Sequence, residues 1–277
     1  MTGPTVAGAL AGAKRLGVER LDAQLLLAHT LARPRSWLLA HDDQSLGPAP
    51  AAAFGELLRR RGEGEPLAYL VGTKDFYGLT LKVNAHVLIP RPETEVLVGW
   101  AIELIDALSA QVNAPRVLDL GTGSGAIAIV LKHERPAAEV AAVDISEGAL
   151  ATARDNAKRL GAAVAFQQGD WLNGRVGPRY HLIVSNPPYI EPDDPHLAAL
   201  KHEPALALTP GTTGLAALAT ISASAADHLE PGAWLLFEHG HDQAPAVQAM
   251  LLQAGFDSPQ TRLDLAGHSR CTGARKP

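Results

Sequence analysis

Residues 116–125 read RVLDLGTGSG, an apolar run followed by three glycines at alternate positions. The run 116–120 is short and rich in Leu and Val, which indicates a buried strand. Glycines after a strand allow a tight turn and a close approach of the backbone to a ligand. The apolar residues that continue from Ala126 predict a helix. A strand, a glycine loop and a helix in this order are typical of an open α/β sheet that binds a ligand at its strand ends.

The remainder of the C-terminal half alternates strand and helix patterns. Further strands are predicted at residues 139–143, 164–167, 181–185 and 233–238, and helices at residues 147–160, 215–229 and 243–254. Residues 256–265 and 268–272 indicate an antiparallel pair at the edge of the sheet. The alternation predicts an α/β fold with a doubly wound, mostly parallel sheet and helices on both faces.

The N-terminal part of the chain has helical rather than alternating patterns. Apolar residues recur at helical spacing over residues 7–16, 20–31 and 51–61, and prolines and glycines separate these segments. Residues 69–72 and 76–83 shift toward a strand-like composition. We therefore predict three parts: a small helical domain of residues 1–72, a linker or β-hairpin of residues 73–90, and an α/β domain of residues 91–277.

The composition favours a protein with a large buried core and no membrane span. Hydrophobic residues make up 47% of the 277 residues, and no apolar stretch is long enough to cross a bilayer. The net charge is −5 and there is no basic tail, which argues against a dedicated nucleic-acid-binding protein. Cys271 is the only cysteine, so neither a disulfide framework nor a thiolate metal cluster is expected. We expect a cytoplasmic location.

Two acidic side chains lie close to the predicted glycine loop. Asp144 follows Gly125 by about twenty residues, at the end of the next strand, where a carboxylate can accept hydrogen bonds from both ribose hydroxyls of an adenosine. Asp119 precedes the loop, and it can orient the loop or meet a cationic group of the ligand. The combination fits a dinucleotide site loosely, and it also fits a methyl-donor site, where no pyrophosphate is bound.

The third predicted strand ends in Gly169, Asp170 and Trp171. Asp170 can accept a hydrogen bond from the exocyclic amine of adenine, and Trp171 can form a wall beside the base. The alternative is a polar turn with a partly buried Trp. Because the carboxyl ends of parallel strands meet in one crevice, we favour the ligand-binding interpretation.

The tetrapeptide Asn186-Pro187-Pro188-Tyr189 directly follows the apolar run at residues 181–185. An amide or aromatic amino nitrogen is a poor nucleophile because its lone pair is delocalised. The Asn186 side-chain oxygen and the Pro187 carbonyl can each accept one N–H of such a nitrogen, which stabilises the transition state more than the ground state. Proline holds these acceptors in place, and Tyr189 can pack on the planar group. The tetrapeptide therefore predicts a reaction in which a planar nitrogen is the nucleophile. This attack requires no general base.

Together, the glycine loop, Asp144, Trp171 and the tetrapeptide resemble the class I S-adenosylmethionine-dependent methyltransferases that act on a planar nitrogen. Adenine amino methyltransferases share the tetrapeptide. Residues 64–70, 89–95 and 238–240 resemble, more narrowly, the peptide chain release factor glutamine methyltransferases of the HemK/PrmC family. The resemblance covers nearly the whole chain, including the helical N-terminal domain.

This resemblance implies a reaction, a partner and a set of site residues. The reaction is methyl transfer from S-adenosylmethionine to the side-chain amide nitrogen of the Gln in a Gly-Gly-Gln loop of a release factor. The residues implied to hold the methyl donor are Gly121, Thr122, Gly123, Ser124, Gly125, Asp144, Asp170, Trp171, Asn186 and, near the donor, Thr94. The residues implied to hold the glutamine are Asn186, Pro187, Pro188 and Tyr189, of which Asn186, Pro187 and Tyr189 are the predicted catalytic residues. The N-terminal helices are expected to contact the release factor, and the enzyme is expected to be a monomer that binds neither nucleic acid stably nor a membrane.

Some features depart from the family pattern, and other functions are compatible with parts of the sequence. Cys271 stands where a branched apolar residue is usual, the tail at residues 273–277 is atypical, and residues 211–215 lack an acidic residue. The alternatives are an adenine amino methyltransferase acting on DNA or RNA, a methyltransferase of a ribosomal protein glutamine, and a non-catalytic cofactor-binding module. His239 and His241 have no third ligand at a recognisable spacing, so no metal site is expected.

Overall fold

The computed structural model describes residues 3–174 and 176–277. The chain divides into two compact units, one ending at Thr73 and the other running from Lys74 to Pro277. Each unit encloses apolar core residues of its own.

The first unit is a bundle of short helices. Within its described residues lie α1 (Val6–Arg15), α2 (Arg20–Leu31), α3 (Arg35–Ala40), α4 (Pro48–Gly62) and α5 (Leu67–Val71). Leu38, Phe54 and Leu58 pack in its core with leucines of α2. Helix α1 begins after Thr5, whose hydroxyl accepts a hydrogen bond from the N–H of Gly8 at 3.1 Å, so one unpaired donor at the helix start is satisfied.

Residues 69–72 were expected to be strand-like, and this expectation is wrong. Residues 69–71 form the end of α5, which begins after Pro66, and Gly72 is the C-cap of this helix. Leu70 is only 7% exposed and packs in the helical core. Packing against neighbouring helices outweighs the strand preference of residues such as Tyr and Val, which spans about 1 kcal/mol.

The described residues of the second unit build a seven-stranded sheet, and a small two-stranded hairpin that begins at Thr73 precedes it along the chain. The hairpin contains β1 (Thr73–Phe76) and β2 (Leu79–Lys82), and the sheet contains β3 (Arg116–Leu120), β4 (Glu139–Asp144), β5 (Val164–Gln168), β6 (Tyr180–Ser185), β7 (Leu229–Glu238), β8 (Asp257–Leu263) and β9 (Ser269–Arg275). The strand order is β5-β4-β3-β6-β7-β9-β8. Strands β3 to β7 are parallel, and β9 runs antiparallel to both β7 and β8. The predicted fold class, a mostly parallel doubly wound sheet with an antiparallel last strand, is confirmed.

Helices cover both faces of the sheet. One face carries α6 (Thr94–Ser109), α7 (Ala126–Glu134) and α8 (Glu147–Leu160), and the other carries α9 (Ala216–His228) and α10 (Ala244–Gln253). Leu182 and Val184 point into the first core, whereas Ile183 points into the second. Burial on both faces explains why the parallel strands read as continuous apolar runs. No helix in the described part of the chain has the length and apolar character needed to cross a membrane.

The register of the central strands brings their carboxyl ends to one edge. Leu120 at the end of β3 lies beside Val143 of β4 on one side and Ser185 of β6 on the other. The segments that follow these strands therefore emerge next to each other. The strand order also reverses at β3, and such a switch point is where open α/β sheets form a ligand crevice.

The C-terminal tail completes the sheet. Strand β9 continues to Arg275, beyond the predicted end at residue 272. The Lys276 ammonium group donates to the carbonyl oxygens of Ala226 and Leu229 at 2.7 and 2.8 Å. Cys271 is fully buried, and this burial raises the pKa of its thiol. The cysteine therefore packs in the core as a neutral apolar residue.

Candidate active site

A cavity of about 420 Å³ lies at the carboxyl ends of β3 to β6, and its size is typical of a small-ligand site. The predicted site residues on its wall are Thr94, Gly121, Thr122, Gly123, Ser124, Asp144, Asp170, Trp171, Asn186 and Pro188. Gly125, Pro187 and Tyr189 are not part of this wall. The fold thus gathers most of the residues that the sequence singled out around one cavity.

The glycine loop is held by hydrogen bonds to the end of β4. The N–H groups of Gly121 and Thr122 both donate to the carbonyl oxygen at the end of β4, at 2.9 and 3.0 Å. Gly123 has a φ of 57°, a left-handed conformation that glycine adopts without strain, and its N–H donates to Asp144 Oδ2 at 2.8 Å. A Cβ atom on Gly121 would lie 3.1 Å from Trp171 Cζ3, so the indole ring packs directly against the loop.

The buried Asp119 carboxyl orients the glycine loop through hydrogen bonds. Its Oδ2 atom accepts hydrogen bonds from the Thr122 hydroxyl at 2.6 Å and from the N–H of Ala128 at 3.2 Å. The carboxyl is fully buried and does not line the cavity, and burial raises its pKa to about 7. Of the two roles that the sequence left open for Asp119, the structure supports orientation of the loop.

Asp144 lines the cavity and joins the glycine loop to α8. Its Oδ1 atom accepts the N–H of Ser146 at 2.9 Å, and its Oδ2 atom accepts the N–H of Gly123. Burial raises the pKa of Asp144, and these backbone hydrogen bonds partly reverse the effect. Each carboxylate oxygen can accept two hydrogen bonds, so each keeps capacity for a hydroxyl group in the cavity.

Asp170 and Trp171 form another part of the wall, after β5. Trp171 has a φ of 52°, which is uncommon for a residue other than glycine, and its ring is partly buried. Asp170 is exposed, and its Oδ2 atom accepts a hydrogen bond from Asn173 Nδ2 at 2.8 Å. Its position agrees with either a ligand contact or a polar turn.

The tetrapeptide after β6 divides its side chains between the cavity and the core. Asn186 lines the cavity and donates through Nδ2 to the Thr94 hydroxyl at 3.2 Å. Pro188 also lines the cavity, whereas Pro187 is buried. The Tyr189 hydroxyl donates to Glu238 Oε1 at 3.3 Å. Of the four residues, Asn186 and Pro188 are the two on the cavity wall.

The segment after β7 anchors this tetrapeptide. Gln243 Nε2 donates to the backbone oxygen of Tyr189 at 3.0 Å, and Gln243 Oε1 accepts the N–H of Gly240 at 2.8 Å. His239 is buried with both ring nitrogens occupied, by the Gly240 oxygen at 2.8 Å and the Thr272 hydroxyl at 2.7 Å. Among the described residues, no group of three or more His, Cys, Asp and Glu could hold a metal ion.

One wall of the cavity was not found by sequence reasoning. It is formed by Pro204, Leu206, Ala207, Thr209, Pro210 and Gly211. Glu203 precedes this segment and is buried, with Oε1 2.5 Å from Arg91 Nη2 and Oε2 3.0 Å from the N–H of Ile89. A single carboxyl in an irregular stretch has no periodicity or spacing that would reveal its long-range partner, Arg91.

Comparison with known proteins identifies the family of this chain. Residues 6–72 match the PrmC N-terminal domain, and residues 101–203 match the methyltransferase small domain. A release factor glutamine methyltransferase of Bordetella pertussis is 50% identical over 260 residues, which cover 93% of this chain and 95% of that protein. The chain belongs to the release factor glutamine methyltransferases.

Further similarities agree with this family and with the fold. A release factor glutamine methyltransferase of Burkholderia pseudomallei is 46% identical over 269 residues, covering 94% of this chain and 93% of that protein. A methyltransferase from Pyrococcus furiosus shares the fold, with a TM-score of 0.54 and 18% identity, over 73% of this chain and 91% of that chain. The family predicted from the sequence is confirmed, and the enzyme is an S-adenosylmethionine-dependent methyltransferase.

The residues around the cavity fit S-adenosylmethionine. Asp144 offers a carboxylate with spare acceptor capacity for ribose hydroxyls, next to the glycine loop on the same cavity wall. Val143, Ile145 and Trp171 add apolar surface on the same wall, suited to the face of a base. The assignment of individual site residues to the methyl donor stays a prediction.

The buried carboxyls give this methyltransferase an expected pH dependence of stability. Burial raises the pKa of Asp119 and of Glu238 to about 7 each, whereas such groups titrate near pH ~4 in an unfolded chain. Between these values the folded protein keeps protons that the unfolded chain has released, so the free energy of unfolding falls as the pH rises from about 4 to about 7. Replacing Glu238 with Gln is expected to remove about 3 kcal/mol of this decline.

Urea denaturation measures the free energy of unfolding, and it should be carried out on the wild type and on Glu238→Gln at pH values from about 5 to about 8. Glu139→Gln is the matched control because Glu139 is exposed. The wild type and the control should lose stability in parallel as the pH rises, and Glu238→Gln should lose less. Equal slopes for all three proteins would contradict the argument.

Proposed function

We propose that this enzyme methylates the side-chain amide nitrogen of the glutamine in the Gly-Gly-Gln motif of peptide chain release factors. The observation that carries the proposal is the position of Asn186, held by Thr94 on the wall of the cavity beside the glycine loop. Family membership supports the release factor as the substrate.

S-adenosylmethionine, when bound, supplies a methyl group made electrophilic by its sulfonium. Gly121 to Gly125 and Asp144 are the residues that we expect to hold it, with Trp171 beside the base. Asp144 orients the loop through Gly123 and keeps acceptor capacity toward the cavity. The apolar wall residues reduce the access of water.

Asn186 and Pro187 would act on the glutamine nitrogen of the release factor. The nitrogen has two N–H groups, and the Asn186 side-chain oxygen and the Pro187 carbonyl can each accept one. Positive charge that develops on the nitrogen strengthens both hydrogen bonds, so they favour the transition state. The nitrogen gains a methyl group and loses one proton after the transfer, which explains why no general base is required next to Asn186.

Rigidity of the tetrapeptide would keep these acceptors aligned. Pro187 is buried, and Tyr189 is tied at its backbone oxygen by Gln243 and at its hydroxyl by Glu238. The energetic benefit lies in preorganisation, since acceptors that are already in place need no rearrangement during the reaction. This arrangement gives Tyr189 a supporting role in addition to any packing on the glutamine.

The helical first unit would contact the release factor outside the Gly-Gly-Gln loop. Its helices and core belong to a compact unit of their own, which matches the N-terminal domain of the same family. Because release factors act on ribosomes, we place the reaction in the cytoplasm.

A labelling competition tests the substrate class. The enzyme is incubated with methyl-labelled S-adenosylmethionine, a release factor, ribosomal proteins and total nucleic acid in one mixture. We expect the label in the release factor, and no label when the Gln of its Gly-Gly-Gln motif is replaced with Ala. Label in adenine or in a ribosomal protein, with none in the release factor, would contradict the proposed function.

A further inference from the structure

His86 lies on the wall of the cavity together with Asp144, Ser146 and Ala149. It belongs to the connection between β2 and α6, whereas Ser146 is the N-cap of α8 and Ala149 lies in the first turn of that helix. His86 is exposed, and within residues 3–174 and 176–277 neither of its ring nitrogens has a hydrogen-bond partner. A planar side chain with free polar atoms is therefore present on the same wall as Asp144.

The imidazole of His86 packs on a glycine of α8. A Cβ atom on Gly148 would lie 2.9 Å from His86 Cγ and 3.0 Å from His86 Nδ1, a separation at which one of the two residues must move. Glycine inside a helix is less stable than alanine, so its presence in the first turn of α8 needs another reason. The close approach of the imidazole supplies that reason.

The backbone at His86 is fixed to the same helix. Its N–H donates to Asn84 Oδ1 at 2.9 Å, and Asn84 Nδ2 donates to the Thr152 hydroxyl at 2.9 Å. Thr152 is 7% exposed, and its hydroxyl donates to the backbone oxygen of Gly148 at 3.0 Å. His86 is thus joined to α8 by its backbone and by its ring, and a group held in place before a ligand arrives loses little freedom on binding.

His86 and Asp144 are chemically complementary toward a ribose. An ionised carboxylate only accepts hydrogen bonds, so both ribose hydroxyls expected at Asp144 would donate their protons to it. Each hydroxyl oxygen then keeps lone pairs, and a neutral imidazole has one ring N–H that can donate to them. The neighbouring Val143, Ile145 and Trp171 offer apolar surface, which suits the base instead.

We propose that His86 binds the ribose of S-adenosylmethionine by donating a ring N–H to a hydroxyl oxygen, and that Gly148 provides the space for its imidazole. The inference rests on the placement of the ribose at Asp144 given under the proposed function, and it does not depend on the glutamine substrate. It assigns to the ribose two side chains from separate segments, a carboxylate at the end of β4 and an imidazole before α6.

Removal of the imidazole tests the contact directly. Isothermal titration calorimetry with S-adenosylhomocysteine, the stable product of the donor, measures the Kd. In His86→Ala we expect the Kd to rise by about 3- to 10-fold, which corresponds to one hydrogen bond between neutral groups. His133→Ala is the matched control, because His133 is an exposed histidine of α7 outside the cavity wall. An unchanged Kd in His86→Ala would overturn the proposal.

Gly148→Ala tests whether the position of the ring matters. Gly148 is not itself on the cavity wall, so the added methyl group should weaken binding only by displacing His86. We expect the Kd to rise in Gly148→Ala and to show no further rise when Gly148→Ala is added to His86→Ala. Gly99→Ala is the control, since Gly99 lies in α6 and a Cβ atom there meets no other atom within 4 Å.

Thermal unfolding of the same proteins without ligand gives a second readout. Alanine favours a helix over glycine, so Gly148→Ala should raise the Tm more in the His86→Ala background, where no ring opposes the methyl group, than in the wild type. Equal losses of affinity from Gly148→Ala in both backgrounds would mean that the substitution acts without His86, and this result would contradict the proposed role of Gly148.

An analogue of S-adenosylhomocysteine that lacks both ribose hydroxyls tests which part of the ligand the ring contacts. Loss of the hydroxyls should weaken binding to the wild type by a factor about 3- to 10-fold larger than the factor for His86→Ala. Equal factors would place the imidazole on another part of the ligand and overturn the ribose assignment. No release factor enters these titrations, so a failure to methylate release factors would refute the proposed function and leave this inference standing.

Discussion

Replacing Asn186 with alanine is expected to lower kcat for methylation of a release factor by about 100- to 1000-fold. Asn186 would supply one of the two acceptors for the glutamine N–H groups, and its amide nitrogen is hydrogen-bonded to Thr94 on the cavity wall before substrate arrives. Loss of a preorganised acceptor removes stabilisation that grows with the charge on the nitrogen. Single-turnover methylation at saturating S-adenosylmethionine measures the chemical step.

Two further measurements make this result specific. Asn113→Ala is the control, because Asn113 is an exposed asparagine outside the cavity wall. The Kd for S-adenosylmethionine should change by less than about threefold in Asn186→Ala, since its largest effect falls on the transition state. Turnover within a few-fold of the wild type would contradict the role of Asn186.

Replacing Asp144 with alanine is expected to weaken S-adenosylmethionine binding by about 100-fold or more. Its carboxylate holds Gly123 at 2.8 Å and Ser146 at 2.9 Å and keeps acceptor capacity toward the cavity. A hydrogen bond to a charged group contributes about 1.5–3 kcal/mol. Loss of the two expected hydrogen bonds from the ribose hydroxyls to Asp144 therefore raises the Kd by about 100-fold or more. Isothermal titration calorimetry gives the Kd directly.

The matched control for Asp144→Ala is Asp155→Ala. Asp155 lies on α8, is exposed, and pairs with Lys82 at 2.7 Å, and an exposed pair of this kind contributes little. Asp155→Ala should bind S-adenosylmethionine as the wild type does. If both variants bind equally well, the nucleoside end of the ligand is not held by Asp144.

The strand and helix pattern of the second unit could be predicted because its signals are local. Parallel strands that are buried on both faces give short apolar runs, and glycines mark the loops between them. The N-terminal end of β7 was missed, since the strand begins at Leu229 rather than at residue 233. Pro231 argues against a strand, but a register shift in the pairing of β6 with β7 accommodates this irregular start.

Site residues could be predicted from the sequence where a single local segment marks them. Contacts between two segments that are distant in the sequence could not be predicted. Asp144 and Asn186 stand at strand ends, so topology alone brings them to the same edge. The pairing of Arg91 with Glu203, more than a hundred residues later, depends on tertiary packing that no sequence pattern encodes. The hydrogen bond between Asn186 and Thr94 is likewise visible only in the folded chain.

The most direct test of the central claim is the location of the methyl group. A release factor is incubated with the wild-type enzyme and S-adenosylmethionine, digested, and sequenced by tandem mass spectrometry. We predict one added methyl group on the side-chain amide of the Gln in Gly-Gly-Gln, and a rate of methylation about 100- to 1000-fold lower when Asn186→Ala replaces the wild type under the same conditions. An unmodified Gly-Gly-Gln peptide from an enzyme that binds S-adenosylmethionine, or a methyl group on another residue, would contradict the account.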